Sequence, residues 1–388
     1  MTLPTVARAY LVRWRWYLCG AGAACTLLWT LYFLSLPQRP TVIPRPHTFS
    51  ADNDTSLPPL TNPDLPPSGP PTEAAGNSTL GVSPRLGTLY CLPSVLIAIL
   101  TTFQFEAILA LSPFPSWRTT GLQAAAQFTG LQIQIPPQPP IHPEIIDAFA
   151  GLGSEDRTHP NHGSATAWVA HLDLIKHVVQ SNYETALILE DDVDWDLSIH
   201  EEMVAIAEAV RQLTKTDPSE KAPYGHSWDV LWIGHCGEGW DPHMETIYVN
   251  DKTVCPVDKY VGFAKGRVEN LAAAQRAVFH SAGPICSFAY ALTREGAKKV
   301  LLDVGAGKDE AFDIALMNGC RERDLTCISV LPELFRHHIP SKVGGGSLVN
   351  SGDGEGIDVE VEMGYTENIL ESARCHALWG KPCLERDD

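Results

Sequence analysis

Positive charge is what this chain has least of: 28 Lys and Arg stand against 46 Asp and Glu, a formal net charge of −18. Sequence-independent binding to nucleic acid depends on clustered basic side chains that neutralise phosphates, so that class of partner is excluded. An anionic small ligand would need a metal cation as intermediary. No C-x-x-C occurs among the ten cysteines, and their spacings match no common finger, which argues against structural zinc. No internal repeat is visible. The run Gly344-Gly345-Gly346 is followed by neither a helix start nor a Lys, so it lacks the makings of a phosphate cradle.

What is present is an ample core. A chain of 388 residues with 44% hydrophobic content is long enough for one large or two ordinary globular domains. Seven of the ten cysteines lie at or after Cys236, in pairs such as Cys320 with Cys327 and Cys375 with Cys383, a usage that points to an oxidising compartment. Those two pairs enclose short loops that need little closure entropy, so they are the expected disulfides, and the odd number leaves one cysteine over.

The amino-terminal quarter reads as targeting and spacing. Residues 17–36 form an uncharged run of bilayer-spanning length, flanked by Trp14 and Trp16 and preceded by Arg8, Arg13 and Arg15. The expectation is a cytoplasmic tail over 1–16 and a single-pass type II anchor over 17–36, with the rest of the chain lumenal. No small-x-small cleavage site comes after the run, against a cleaved signal peptide. Residues 37–81 are rich in Pro, Ser, Thr and Asn, as in a disordered stem, with N-glycosylation acceptors at Asn53 and Asn77. Residues 82–104 include a second apolar stretch, open to reading as a span, a core segment or translated intron. Val82-Ser83 is encodable as GTGAGT and Phe103-Gln104 as TTTCAG, splice-site sequences at the two ends of an insert, and excision would join the stem directly to a strand.

From residue 105 to 388 the chain alternates elements in the βαβ manner, which predicts one α/β sandwich with a mostly parallel, Rossmann-like sheet. Strands are expected over 107–111, 132–135, 186–189, 229–233, 285–292 and 326–330. Helices are expected over 118–128, 163–180, 201–213, 294–302 and 310–318. The third strand is the informative one. TALILEDDVDWD, 185–196, is an apolar run ending in five carboxylates, Glu190, Asp191, Asp192, Asp194 and Asp196. A strand buried on both faces delivers its next residues to the carboxyl edge, where open α/β sheets bind ligands. Carboxylates crowded on one rim repel one another unless a cation sits among them, and a divalent metal holding a phosphorylated ligand is the common solution.

Glu190-Asp191-Asp192 fits the D-x-D theme of nucleotide-sugar transferases. The blocks GSATAWVAHLDLIKHVVQSNYETALILEDDVDWD, CSFAYALTREGAKKVL and DIALMNGC resemble glycosyltransferase family 25, particularly its fungal branch, over about residues 105–338. The resemblance implies a GT-A-like fold, a UDP-sugar donor, Mn2+ or Mg2+, a glycan or glycoprotein acceptor, and transfer of a galactose-like hexose with inversion. It further implies Asp192 as metal ligand, Glu190 and Asp191 on the donor side, and Asp313 as general base on the acceptor hydroxyl. His171 matches the family's helix histidine but equally suits a core position between Trp168 and Ile175. In this fold a late-loop histidine often completes the metal site, which marks His337 or His338. The family's first loop carries an Arg-rich turn, L-P-x-R-x-x-R-R, whereas here SPFPSWRT leaves only Arg118 as a donor contact. Trp117 beside it is either a stack for uracil or an apolar anchor. Two rival readings remain: a degenerate interaction protein on the same fold, and a metal-dependent phosphohydrolase, for which no Lys or Thr partner to a nucleophilic aspartate is in view.

Overall fold

The computed structural model describes residues 103–152, 158–341 and 362–384. All of them belong to a compact unit that begins at Arg85. The expected tail, anchor, stem and most of the 82–104 insert lie outside the described residues. Phe103, which excision of that insert would remove, is 2% exposed and accepts a hydrogen bond from Tyr224 Oη at 3.0 Å. Among the described residues no helix is long and apolar enough to cross a membrane.

The chain opens with β1 (Ala107–Leu111), α1 (Trp117–Thr129), β2 (Ile133–Gln134), α2 (Pro143–Ala150) and α3 (His162–Gln180). It continues through β3 (Thr185–Glu190), β4 (Val193–Trp195), α4 (Ile199–Leu213), β5 (Val230–Gly234), β6 (Thr246–Asn250), the one-turn α5 (Lys265–Val268) and β7 (Gln275–His280). Then come β8 (Ala289–Thr293), α6 (Arg294–Asp303), α7 (Phe312–Glu322), β9 (Cys327–Leu331), β10 (Phe335–Ile339), β11 (Tyr365–Thr366) and α8 (Ala373–Trp379). An eight-stranded sheet runs in the order β2-β1-β3-β8-β5-β9-β7-β6, and a small sheet in the order β11-β10-β4. In the large sheet β8 and β7 run against the other strands, so it is mixed: β1 pairs in parallel with β2 and β3, and β5 with β9, while the remaining ladders are antiparallel. The α/β architecture is as the sequence implies.

Strand alternation divides the core between the two sheet faces. Ala186 and Ile188 pack with Trp168, Ile175, Val300 and Leu316 from α3, α6 and α7, whereas Leu187 and Leu189 pack with Leu122, Ile206 and Val210 from α1 and α4. Continuous apolar runs in β3, β5 and β8 result directly, because both faces of those strands are covered. On α3 the buried stripe is Ala165, Trp168, His171, Leu174, Ile175 and Val178, with Leu172 and Val179 only partly covered. His171 therefore lies in the middle of the buried face.

Among the described residues three disulfides close loops: Cys320–Cys327 and Cys375–Cys383, as expected, and Cys236–Cys286, with Cα atoms 5.5, 5.9 and 5.5 Å apart respectively. Cys255 is free and buried, the one such cysteine among the described residues.

Candidate functional site

β3 ends at Glu190, and the Glu190 N–H donates to Phe288 O at 3.0 Å, so the acidic turn starts where β3 separates from β8. Asp191 and Asp192 form the turn into β4, and the His338 N–H donates to Asp192 O at 2.7 Å, fixing that turn against β10. Each side chain of the cluster then has a distinct neighbour. Ser112 Oγ, just past β1, donates to Asp191 Oδ2 at 2.5 Å. Ser287 Oγ donates to Glu190 Oε1 at 2.8 Å. Arg118 Nε lies 3.5 Å from Asp192 Oδ2.

Arg118 is placed by local capping chemistry. Ser116 caps α1, accepting from the Arg118 N–H at 3.3 Å, while Thr119 Oγ1 accepts from the Ser116 N–H at 2.9 Å. The guanidinium then lies over the Trp117 ring, 4.9 Å from its centre. Trp117 itself is 1% exposed, so it is a core anchor and not a surface for a nucleobase.

Asp313 joins from the first turn of α7. Its Oδ2 accepts from the Cys286 N–H at 2.8 Å, and its charge contributes to the field at Glu190. Burial, followed by the charge of Asp192, pushes the Glu190 carboxyl up to about 8, against the pull of the Ser287 hydrogen bond. The Glu190 side chain is 29% exposed, so water softens part of the repulsion. Burial and then Asp192 push Asp191 up to about 7, with Ser112, Arg118 and Arg374 pulling the other way. These are carboxylates short of positive charge.

The histidines separate along β10, because neighbouring residues on a strand face opposite ways. The sequence suggests a loop for them; they are strand residues instead, Arg336 pairing with Asp194 and His337 with Val193. His337 packs on Phe288, ring centres 4.9 Å apart, and feels the charge of Asp192 while burial lowers its basicity. His338 turns to the other side, its Nδ1 2.9 Å from Thr366 Oγ1 and the ring beside the Cys375–Cys383 sulfurs. Those two sulfurs are bonded to each other, so the His338, Cys375 and Cys383 group has no thiolates to offer a metal. His337 is the histidine on the acidic side. Two buried polar atoms there lack a hydrogen-bond partner, Asp192 Oδ1 and His337 Nδ1. A carboxylate oxygen and an imidazole nitrogen are each donors of the kind that suit a divalent transition metal such as manganese.

Asp194 and Asp196, expected on the same rim, are elsewhere. Asp194 is fully buried and accepts from Thr366 Oγ1 at 2.6 Å, from Ser372 Oγ, and from the N–H groups of Trp195 and Arg374 at 2.8 and 3.0 Å. Asp196 accepts from the Ser198 and Glu371 N–H groups, both at 3.0 Å. Both carboxylates bind the C-terminal segment. His171 stacks flat on Phe312 at 4.2 Å, with Nδ1 2.9 Å from Tyr290 Oη and Nε2 3.8 Å from Glu190 Oε1; burial lowers its pKa to about 3, so it stays neutral. It is a buried core histidine whose Nε2 lies 3.4 Å from Ser287 Oγ, the hydroxyl that donates to Glu190.

Sequence reasoning missed Ser112, Ser287 and Arg374. The first two are single hydroxyls in loops. Arg374 is separated from Arg118 by most of the chain, yet its guanidinium donates to the Trp117 and Arg118 carbonyls at 2.9 and 3.3 Å and sits over the Trp117 ring at 5.1 Å.

No protein-family model matches the chain, and no curated protein does. Among solved structures it is similar to the crystal structure of A197 from STIV, at 9% identity and a TM-score of 0.28, over 60% of this chain and 82% of that one.

Proposed function

We infer that this protein is a divalent-metal-dependent glycosyltransferase with a GT-A-like version of the α/β sandwich. It moves a galactose-like hexose from a UDP-sugar to a glycan or glycoprotein acceptor with inversion, and works from the Golgi membrane with its catalytic part lumenal. The observation that carries the reading is the convergence of Glu190, Asp191, Asp192 and Asp313 at the carboxyl end of β3, with Asp192 Oδ1 and His337 Nδ1 buried and unpartnered beside them.

On this reading Asp192 and His337 hold Mn2+ or Mg2+, which when bound supplies positive charge beside the departing diphosphate. The residues of the chain do the rest. Asp191, fixed by Ser112, and Arg118, fixed by its capped helix, border the donor. Asp313, fixed by the Cys286 amide, accepts the proton of the acceptor hydroxyl as that oxygen attacks the sugar, and Glu190 lines the floor between them. Asp192→Asn keeps the shape and removes the charge, so it abolishes metal-dependent UDP binding. Asp313→Asn keeps UDP binding and loses turnover. Equal affinity of Asp192→Asn and the unaltered protein for UDP with manganese would remove the proposed metal site.

One observation favours a second reading. Arg118 already sets a positive charge against Asp192 Oδ2. A degenerate transferase that keeps the acidic turn as an ion pair would show this pairing, and it would bind UDP no better with manganese than without.

A further inference from the structure

Phe263 is 80% exposed, although its neighbours Tyr260 and Ala264 are 1% and 0% exposed. A lone surface aromatic needs no explanation by itself. This one stands on a built pedestal. It comes directly after Gly262, whose φ of +113° is closed to side-chain-bearing residues, and a Cβ at that glycine would meet the Arg336 guanidinium at 3.4 Å. Arg336 is held by Glu367 at 2.7 Å and by Glu333 at 3.6 Å, and Glu333 also receives Tyr260 Oη at 2.6 Å. Asn368 clamps the same loop from outside, accepting from the Val261 N–H and donating to Val261 O, each at 2.9 Å. In this buried ionic network Arg336 Nε lacks a hydrogen-bond partner, but both terminal nitrogens of the guanidinium are engaged, and together the contacts hold the loop to one backbone path.

The pedestal is attached to the candidate site on two sides. The Phe263 N–H donates to Cys236 O at 3.2 Å, and Cys236 is bonded to Cys286, whose N–H holds Asp313. On the other side Arg336 lies over the Phe288 ring at 5.6 Å, and Phe288 carries His337. Gly237 completes the seat, since a Cβ there would lie 2.9 Å from Phe263 Cβ. The exposed ring is thus tied through the Cys236–Cys286 bridge to the wall that holds the proposed base.

We propose that Phe263 is the stacking platform for a saccharide acceptor, which lays the apolar C–H face of a sugar ring on the phenyl ring and so brings the acceptor up to the Asp313 side of the site. This deepens the glycosyl-transfer reading and rests on it for the identity of the ligand as acceptor. A flat aromatic offers a sugar apolar area and a negative ring face for its C–H groups, which a branched aliphatic side chain cannot imitate.

The test is saturation-transfer NMR on the full chain with lactose and with mannobiose, comparing the unaltered protein with Phe263→Ala, Phe263→Leu and Phe263→Trp, together with calorimetry of UDP plus manganese on each. The expected result is binding of at least one sugar by the unaltered protein and about tenfold weakening in the Ala and Leu variants, the factor that corresponds to about 1.4 kcal/mol. Phe263→Trp should retain the affinity, and UDP–manganese binding should be unchanged throughout. Sugar binding that depends on Phe263 in a protein that does not bind UDP with manganese would uphold the platform and remove the donor reading. Failure of the unaltered protein to bind either sugar, or Ala and Leu variants within twofold of it, would overturn the platform whatever UDP does.

Discussion

Replacing Asp194 by Ala should cost stability and leave any metal binding at Asp192 alone. Asp194 is 0% exposed and accepts three hydrogen bonds from the C-terminal segment, from Thr366 Oγ1, Ser372 Oγ and the Arg374 N–H. Each charge-assisted bond contributes about 1.5–3 kcal/mol, but they share one carboxylate and are not additive. Some partners keep other company: Thr366 Oγ1 lies 2.9 Å from His338 Nδ1, and Ser372 Oγ still caps α8 by accepting from the Cys375 N–H at 2.9 Å. Breaking a buried charged network of this size costs about 4 kcal/mol. In a domain of this size that is a fall in Tm of roughly 10 °C, and about half of it for Asp194→Asn, which keeps the shape and one oxygen. Differential scanning calorimetry reads the shift, and manganese titration of the folded variant below its Tm should match the unaltered protein. A Tm within about 2 °C of the parent, combined with lost manganese binding, would return Asp194 to the metal rim and refute the structural assignment.

Groups away from the acidic turn give two further outcomes. Burial pushes Glu202 up to about 7 even with Arg276 Nη2 at 3.9 Å, so its folded-state value lies above the ordinary 4.5. That stability is fully present below about pH 4.5 and is lost as pH rises through 7; Glu202→Gln should therefore match the parent at pH 4.5 and gain on it by about 3 kcal/mol at pH 8, read by urea denaturation at both pH values. Cys236→Ser with Cys286→Ser opens a loop of 50 residues, a loss of about 4 kcal/mol on chain entropy, and frees the amide that holds Asp313. Turnover should fall in that double variant while UDP–manganese affinity stays, whereas unchanged turnover would show that Asp313 needs no such anchor.

The parts of the fold legible in the sequence were those written in a continuous apolar run or a helical stripe. β1, β3, β5, α1, α3 and α6 fall within a residue or two of expectation because two covered sheet faces or one buried helix face dictate their composition. β10 was not legible. Phe335-Arg336-His337-His338-Ile339 shows no alternation, since Arg336 and His338 are buried with partners far along the chain, Glu367 for the one and Thr366 with the Cys375–Cys383 bridge for the other. Hence the choice between His337 and His338 needed the strand. The acidic turn was legible as a cluster but not in its membership: Asp194 and Asp196 look like Asp191 and Asp192 until the C-terminal segment supplies their donors. The expected disulfides spanned 7 and 8 residues, whereas Cys236–Cys286 spans 50, a distance at which spacing carries no signal.

If Asp192 and His337 hold a divalent cation between protein and diphosphate, donor binding depends on that cation. Isothermal titration of the unaltered protein with UDP, once with manganese and once with chelator, puts this dependence to the test. Saturable UDP binding with manganese that is lost with chelator is the expected result. Equal UDP affinity in both titrations, or no heat of binding in either, would contradict it.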